Sequence, residues 1–158
     1  MKCGGKIFFG SLVICILSFF YFKLIPYSQV SNLIGYIFLE IFLGCNFYIG
    51  YKYKLNKKEA VMVGILGSSF GIFLLFFAAY TYYIMREFYW GIWMVKFYLF
   101  PTMSFINDFF VDITLAYVVF LIGFNIVLVI LGSMFRFFKD KIVLLREKGN
   151  LSIYKDFL

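Results

Sequence analysis

The sequence contains no histidine, and its 158 residues include three cysteines and eight acidic residues. Without histidine the chain offers no His-ligated haem, no zinc site of the His-Glu-x-x-His kind, no di-iron site built on Glu-x-x-His and no Ser-His catalytic pair. Cys3, Cys15 and Cys45 form no C-x-x-C pair, which argues against a thiol oxidase. No phosphate-binding glycine loop is present either. We therefore expect no catalytic residues, no metal and no cofactor.

Apolar residues dominate instead, at 64% of the chain with a mean hydropathy of +0.94. They form four stretches close to or above the roughly 20 residues with which a helix crosses a hydrocarbon core. None shows the period-two alternation of a membrane β-barrel strand. The sequence predicts an all-α polytopic membrane protein, an antiparallel bundle of four transmembrane helices in a single domain, 1–158. The predicted helices cover about 7–25, 30–51, 60–85 and 109–135.

Positive charge is distributed asymmetrically about these helices. Twelve of the fifteen Lys and Arg residues would lie on one side, which predicts that both termini are cytoplasmic. The heavy use of phenylalanine, tyrosine and lysine is typical of a bacterial protein and hence of the cytoplasmic membrane. The net charge of +7 sits at helix ends, where anionic inner-leaflet lipids attract it, so we expect lipid contact and no nucleic acid. The twelve are Lys2, Lys6, Lys52, Lys54, Lys57, Lys58, Arg136, Lys139, Lys141, Arg146, Lys148 and Lys155.

The aromatic segment 88–105 is apolar enough to suggest a fifth span, but two residues oppose that. Lys96 would lie near the bilayer centre at a cost of several kcal/mol, and Pro101 would break the helix. Because Tyr and Trp recur at helical spacing, the segment is predicted to lie in the outer interface as an amphipathic helix. A re-entrant segment is the alternative.

Two acidic residues, Asp108 and Asp112, lie one helical turn apart at the predicted start of helix four. As an outer acidic pair they invite acid/base or metal chemistry. We favour a structural role, in which Asp108 caps the helix and Asp112 stabilises its positive end. The helix is expected to continue as a basic cytoplasmic extension, 136–158, with a stop signal at Gly149-Asn150.

Small residues on predicted helix three mark a packing face. Gly64, Gly67, Ser68 and Gly71 recur at i, i+3, i+4 and i+7, which lets another helix approach closely. Packing inside the same bundle is favoured over contact between copies.

Polar residues inside the predicted spans suggest two internal contacts. Glu40 lies near the middle of helix two, and Tyr36 shares its face at i+4 spacing. With Ser18 and Ser69 at similar depth, we predict an intramembrane polar cluster of Glu40, Tyr36, Ser18 and Ser69. It is either a cation or proton site or a protonated, hydrogen-bonded structural Glu. Separately, Asn46 and Asn125 lie sixteen residues after positions 30 and 109 of two parallel helices, so they are placed to meet.

Two classes of function follow. The first is a bundle that acts by binding another membrane protein or its own copies, as an accessory or regulatory subunit of a membrane complex or as a self-protection protein. The second is a small oligomeric transporter or channel-like protein that uses Glu40. An intramembrane enzyme ranks third, because so few groups are available for chemistry.

Overall fold

The computed structural model describes residues 2–26, 28–53, 55–86, 88–108 and 115–155, and every regular element in these ranges is helical. The all-α class is therefore confirmed. A 3-10 turn, Phe100–Thr102, separates the fifth and sixth helices. The helices are α1 Lys2–Leu24, α2 Gln29–Lys52, α3 Lys57–Gly67, α4 Ser69–Tyr83, α5 Phe88–Leu99, α6 Met103–Asp108 and α7 Leu115–Lys155.

Three of these helices are long and apolar enough to cross a membrane. The qualifying segments are Cys3–Leu24, Gln29–Lys52 and Ala116–Val143, of 22, 24 and 28 residues. They confirm the expectation of a membrane protein. The predicted third span, 60–85, is divided between α3 and α4, which together would form one further span with a bend of 54°.

The bend between α3 and α4 falls at Gly67 and Ser68. Sharp bends in helices are typical of Gly/Ser pairs, where the backbone is freest. Gly67 packs so closely on Ile7 of α1 that an added Cβ would clash with that side chain. The amide of Ser68 still donates to the carbonyl of Gly64 at 2.9 Å, so the chain turns without losing this helical hydrogen bond.

Sequence signals at the helix ends agree with these boundaries. Pro26 follows α1 and cannot continue its hydrogen bonds. Ser28 caps α2 in a reciprocal pair with Ser31, with bonds of 2.7 and 3.1 Å between each amide and the other hydroxyl. At the start of α3, the amide of Asn56 donates to Glu59 at 2.9 Å. Both connections are short. Helix α1 packs on α2, and α3 packs chiefly on α1 and α7.

Helix α5 enters the bundle alongside α4, in the opposite direction. Gly91 packs against the backbone of Ala78, and further along α5 the ring of Tyr98 packs against Gly71. Helix α6 then returns beside α2, with Ser104 against Gly35. The two helices and the turn between them form a hairpin, here called the α5–α6 hairpin.

The α5–α6 hairpin differs from the predicted interfacial helix 88–105. A helix lying flat on the outer surface would keep one face in water, whereas Val95, Tyr98 and Leu99 are buried among α1, α2 and α4. Pro101 is accommodated because it lies in the 3-10 turn, where its missing N–H costs no helical hydrogen bond. Packing of the segment among other helices favours the re-entrant alternative, which the depth of Trp93 in the bilayer would test.

Helices α2 and α7 pack closely along each other and form the centre of the fold. Gly50 of α2 lies against the Val129 backbone, and Gly132 of α7 lies against the Phe47 backbone. Beyond this contact α7 continues through positions 149 and 150 to Lys155. The predicted stop at Gly149-Asn150 is therefore wrong, because one helical glycine costs only about 1 kcal/mol and does not by itself end a helix.

Candidate functional site

A buried polar network joins α2, α7 and the α5–α6 hairpin. Asn46 donates from Nδ2 to Asn125 Oδ1 at 3.1 Å, the contact predicted from their equal positions on parallel helices. Asn125 in turn donates from Nδ2 to the Tyr98 hydroxyl at 3.0 Å. The remaining Asn46 donor is bound by the Phe42 carbonyl at 2.9 Å. These side chains are 1–2% exposed, so the network is shielded from the surroundings of the bundle.

Aromatic and small side chains close the space around Tyr98. The ring of Phe42 lies 5.8 Å from that of Tyr98 in an edge-to-face arrangement. The Cys15 thiol donates to the Tyr98 carbonyl at 3.8 Å. The centre of the bundle is thus occupied by packed side chains at the level of Phe42 and Tyr98.

A second polar group lies at the end of the bundle where α2 begins. Asp108, the last residue of α6, accepts hydrogen bonds of 2.8 Å from Asn32 and from the Tyr36 hydroxyl. Asp108 therefore fastens the hairpin to α2, and the structure does not show the predicted cap of helix four. Asp112 falls in 109–114, outside the described residues. Across the described ranges, no cluster of three His, Cys, Asp or Glu side chains is placed to hold a metal.

The structure does not assemble the predicted polar cluster around Glu40. Ser18 is buried, but its hydroxyl donates to the Ile14 and Cys15 carbonyls of its own helix. Ser69 donates to the Leu66 carbonyl, and Tyr36 to Asp108. Glu40 is exposed, with no hydrogen bond or ion pair to any residue that the structure describes.

Helix geometry explains why Glu40 faces outward. Each step of four residues turns the side chain by about 40° around the helix, since a turn takes 3.6 residues. Asn32 and Tyr36 face the hairpin, but Glu40 is about 80° further round than Asn32. It shares the exposed face of α2 with Ile37 and Gly44. As the twelfth of the 24 residues of α2, Glu40 lies halfway along the helix.

Lys96 is a second charged residue on the outside of the bundle, and sequence reasoning identified it only as an obstacle to insertion. It is exposed on α5, two residues before the buried Tyr98. Like Glu40, Lys96 forms no ion pair within the described residues. Lys96 is of interest because the hairpin packs inside the bundle. The sequence pattern does not specify how far the hairpin enters.

The small residues of predicted helix three lie inside the bundle. Gly64 contacts Ile126 of α7, while Gly67 contacts α1 and Gly71 contacts α5. Ser68 is buried, and its hydroxyl has no hydrogen-bond partner among the described residues. Because these contacts are made to three helices of the same chain, the face is used for internal packing.

Basic and tyrosine side chains meet at the end of the bundle where α1 begins and α2 ends. Lys139 donates to the Tyr51 hydroxyl at 3.0 Å, and Arg136 lies 5.7 Å from the centre of the same ring. Lys6 donates to the Tyr53 hydroxyl at 2.6 Å. A groove of about 320 Å³ opens beside them, between the α2–α3 connection and α7. Its lining is Leu55, Asn56, Lys57, Ser133, Met134, Phe137 and Phe138.

No protein-family model, no curated protein and no solved structure matches this chain. The case for a function therefore depends on the two kinds of polar site in the fold. One is the buried network of Asn46, Asn125 and Tyr98. The other consists of the two charged side chains, Glu40 and Lys96, that are exposed on the sides of the bundle.

Proposed function

We propose that this chain is a small multi-pass protein of the cytoplasmic membrane that acts by binding, as an accessory or regulatory subunit of a membrane complex or as a self-protection protein. The observation that carries the proposal is the outward position of Glu40, halfway along α2 and without a partner among the described residues. A mid-span acidic residue that faces away from its own bundle is placed to contact another protein.

An unpaired acidic side chain is energetically unfavourable inside a bilayer. An acidic side chain at the bilayer centre costs about 2.5–3.5 kcal/mol on insertion scales. Glutamate is too short to reach the interface from there, unlike lysine. Contact with a hydrogen-bond donor or a cation on another membrane protein offsets the cost, because the carboxylate is then paired and no longer faces hydrocarbon.

The concentration of Lys and Arg at the end of the bundle that carries Tyr51 and Tyr53 supports the orientation with both termini in the cytoplasm. Lys and Arg side chains that hydrogen-bond or stack on tyrosine rings, as at Tyr51 and Tyr53, are typical of a membrane interface. Cysteines placed at Ser28 and Asn107 should react with impermeant reagents added outside, and one at Asn56 should not. External labelling at Asn56 would contradict this orientation.

The second candidate function is transport past Glu40. Because Tyr98, Asn46 and Asn125 fill the centre at this level, an ion route would have to run between copies of the chain, where Glu40 faces. Glu40→Gln separates the two functions, since it keeps the hydrogen-bonding shape and removes the charge. Transport predicts an intact assembly with lost flux or lost pH dependence, whereas binding predicts no such loss.

The test of binding is the size of the assembly after extraction from membranes in a mild detergent. The parent chain should migrate well above the 18.6 kDa of one copy. Glu40→Leu should insert normally and migrate at a smaller size, because it removes the polar contact. Phe73→Leu is the matched control, since Phe73 is exposed on α4. A size that Glu40→Leu leaves unchanged would overturn the proposal.

A further inference from the structure

Glu40 and Lys96 lie at the same level of the bundle. The ring centres of Phe42 and Tyr98 lie 5.8 Å apart, and this contact places the two residues at a similar height on α2 and α5. Glu40 and Lys96 each precede their member of this pair by two residues, and the two helices run in the same direction. Both charges therefore lie about 3 Å further toward the outer end than the Phe42–Tyr98 contact.

The two charges face opposite ways. Residues two positions apart on a helix are separated by about 200°, so each charged side chain lies on the far side of its helix from the Phe42–Tyr98 contact. The burial pattern agrees, since Phe42 and Tyr98 are 0% and 1% exposed while Glu40 and Lys96 are both exposed. One copy of the chain therefore carries an acid and a base on separate outer faces, where they do not pair.

We propose that Glu40 of one copy pairs with Lys96 of a second copy. The proposal rests on the binding function above and specifies its partner as another molecule of this chain. Two copies that meet side by side in the membrane keep the same depth. Opposite charges at equal depth on their surfaces can therefore come into contact. The other charged residues in the described ranges lie near an end of α1, α2, α3 or α6, at Arg86 between α4 and α5, or in α7 from Arg136 onward. Within these ranges, Glu40 and Lys96 therefore have no other charged counterpart at this depth.

The surface around Glu40 permits such an approach. Gly44 lies about 40° round α2 from Glu40, and a Cβ added to it would meet nothing within 4 Å. A small residue beside the charge lets the helix of another copy come close. Because the two partner surfaces differ, the contact is head-to-tail, and repetition gives a closed ring or an open row rather than a two-fold dimer.

The test uses two differently tagged copies expressed together, in a background with Cys3→Ala, Cys15→Ala and Cys45→Ala. One copy carries Ile37→Cys and the other carries Trp93→Cys, and membranes are treated with a short bismaleimide. Ile37 and Trp93 are exposed and lie three residues before Glu40 and Lys96, so both charges are kept. We expect a covalent product that bears both tags. The matched pairings, Ile37→Cys with itself and Trp93→Cys with itself, should yield much less. Absence of the mixed product, or equal yields in all three pairings, would overturn the proposal.

A charge exchange provides the second arm. Glu40→Lys and Lys96→Glu should each reduce the assembly to a single copy, because each places like charges opposite one another. The double variant should restore it. The pairing would be overturned if both single variants lose the assembly and the double variant does not restore it. If the mixed product is absent but Glu40→Leu still reduces the native assembly, the partner is a different protein. Self-pairing is then rejected while the binding function stands.

Discussion

Asn125 donates a 3.0 Å hydrogen bond to the Tyr98 hydroxyl and so connects α7 to the α5–α6 hairpin at the centre of the bundle. Because Asn125 also accepts from Asn46, a single side chain holds three separate segments together. The hairpin is thus fastened at two levels, by Asn125 inside the bundle and by the contacts of Asp108 with Asn32 and Tyr36 near the start of α2.

Removing the Tyr98 hydroxyl should weaken the fold. Tyr98→Phe keeps the ring against Gly71 and Phe42 but leaves one Asn125 donor unpaired, at an expected cost of about 1 kcal/mol in the free energy of unfolding. Unfolding by a denaturing detergent in mixed micelles measures this cost. Tyr80→Phe, at an exposed tyrosine of α4, should leave the free energy unchanged. Equal effects of the two substitutions would show that the network does not stabilise the bundle.

The α2–α7 contact should not tolerate a methyl group on its glycines. A Cβ at position 132 would clash with the Phe47 carbonyl and lie 2.8 Å from the Tyr51 amide. We expect Gly132→Ala to lower the free energy of unfolding by about 1–3 kcal/mol, as overpacking does elsewhere. Gly123→Ala on the same helix is the control, since a Cβ there meets nothing within 4 Å. Loss of stability in both variants alike would contradict the close packing.

The depth of α5 can be measured with Trp93. Trp90→Phe leaves Trp93 as the single tryptophan, with 58% of its surface exposed on the outside of the hairpin. Trp93 lies five residues before Tyr98, so it should be quenched most by lipids brominated part of the way down the acyl chain. Strongest quenching by headgroup probes would instead favour a helix lying flat in the interface.

The Asn46–Asn125 contact could be predicted from the sequence, because it depends only on two parallel helices with equal offsets. The outward position of Glu40 could not. Side chains four residues apart differ by about 40° around a helix, so they look aligned. Over the eight residues from Asn32 to Glu40 the difference grows to about 80°, and the two side chains lie on different faces. The buried glycines 64, 67 and 71 indicated close packing, but not which helices they would meet.

The α5–α6 hairpin could not be predicted from the sequence, because two of its residues argue against a helix inside a membrane. Lys96 and Pro101 each oppose a membrane helix when the segment is considered alone. In the fold, Pro101 lies in a 3-10 turn and Lys96 faces away from the buried side of α5, so neither prevents the segment from packing among its neighbours. These positions depend on contacts with α1, α2 and α4 that lie far away in the sequence.

The most direct test of binding is photo-cross-linking in living cells from two sites at equal depth. A photoreactive residue at Ile37 reports on the exposed face of α2 that carries Glu40, and one at Phe73 reports on α4. Gly71 contacts Tyr98, and Phe73 lies two residues beyond Gly71 toward the outer end of α4. Phe73 is therefore at about the same depth as Glu40. We predict protein adducts from Ile37 that Glu40→Leu abolishes, and none from Phe73. Lipid adducts alone from both sites would contradict the claim that this chain acts by binding another protein through α2.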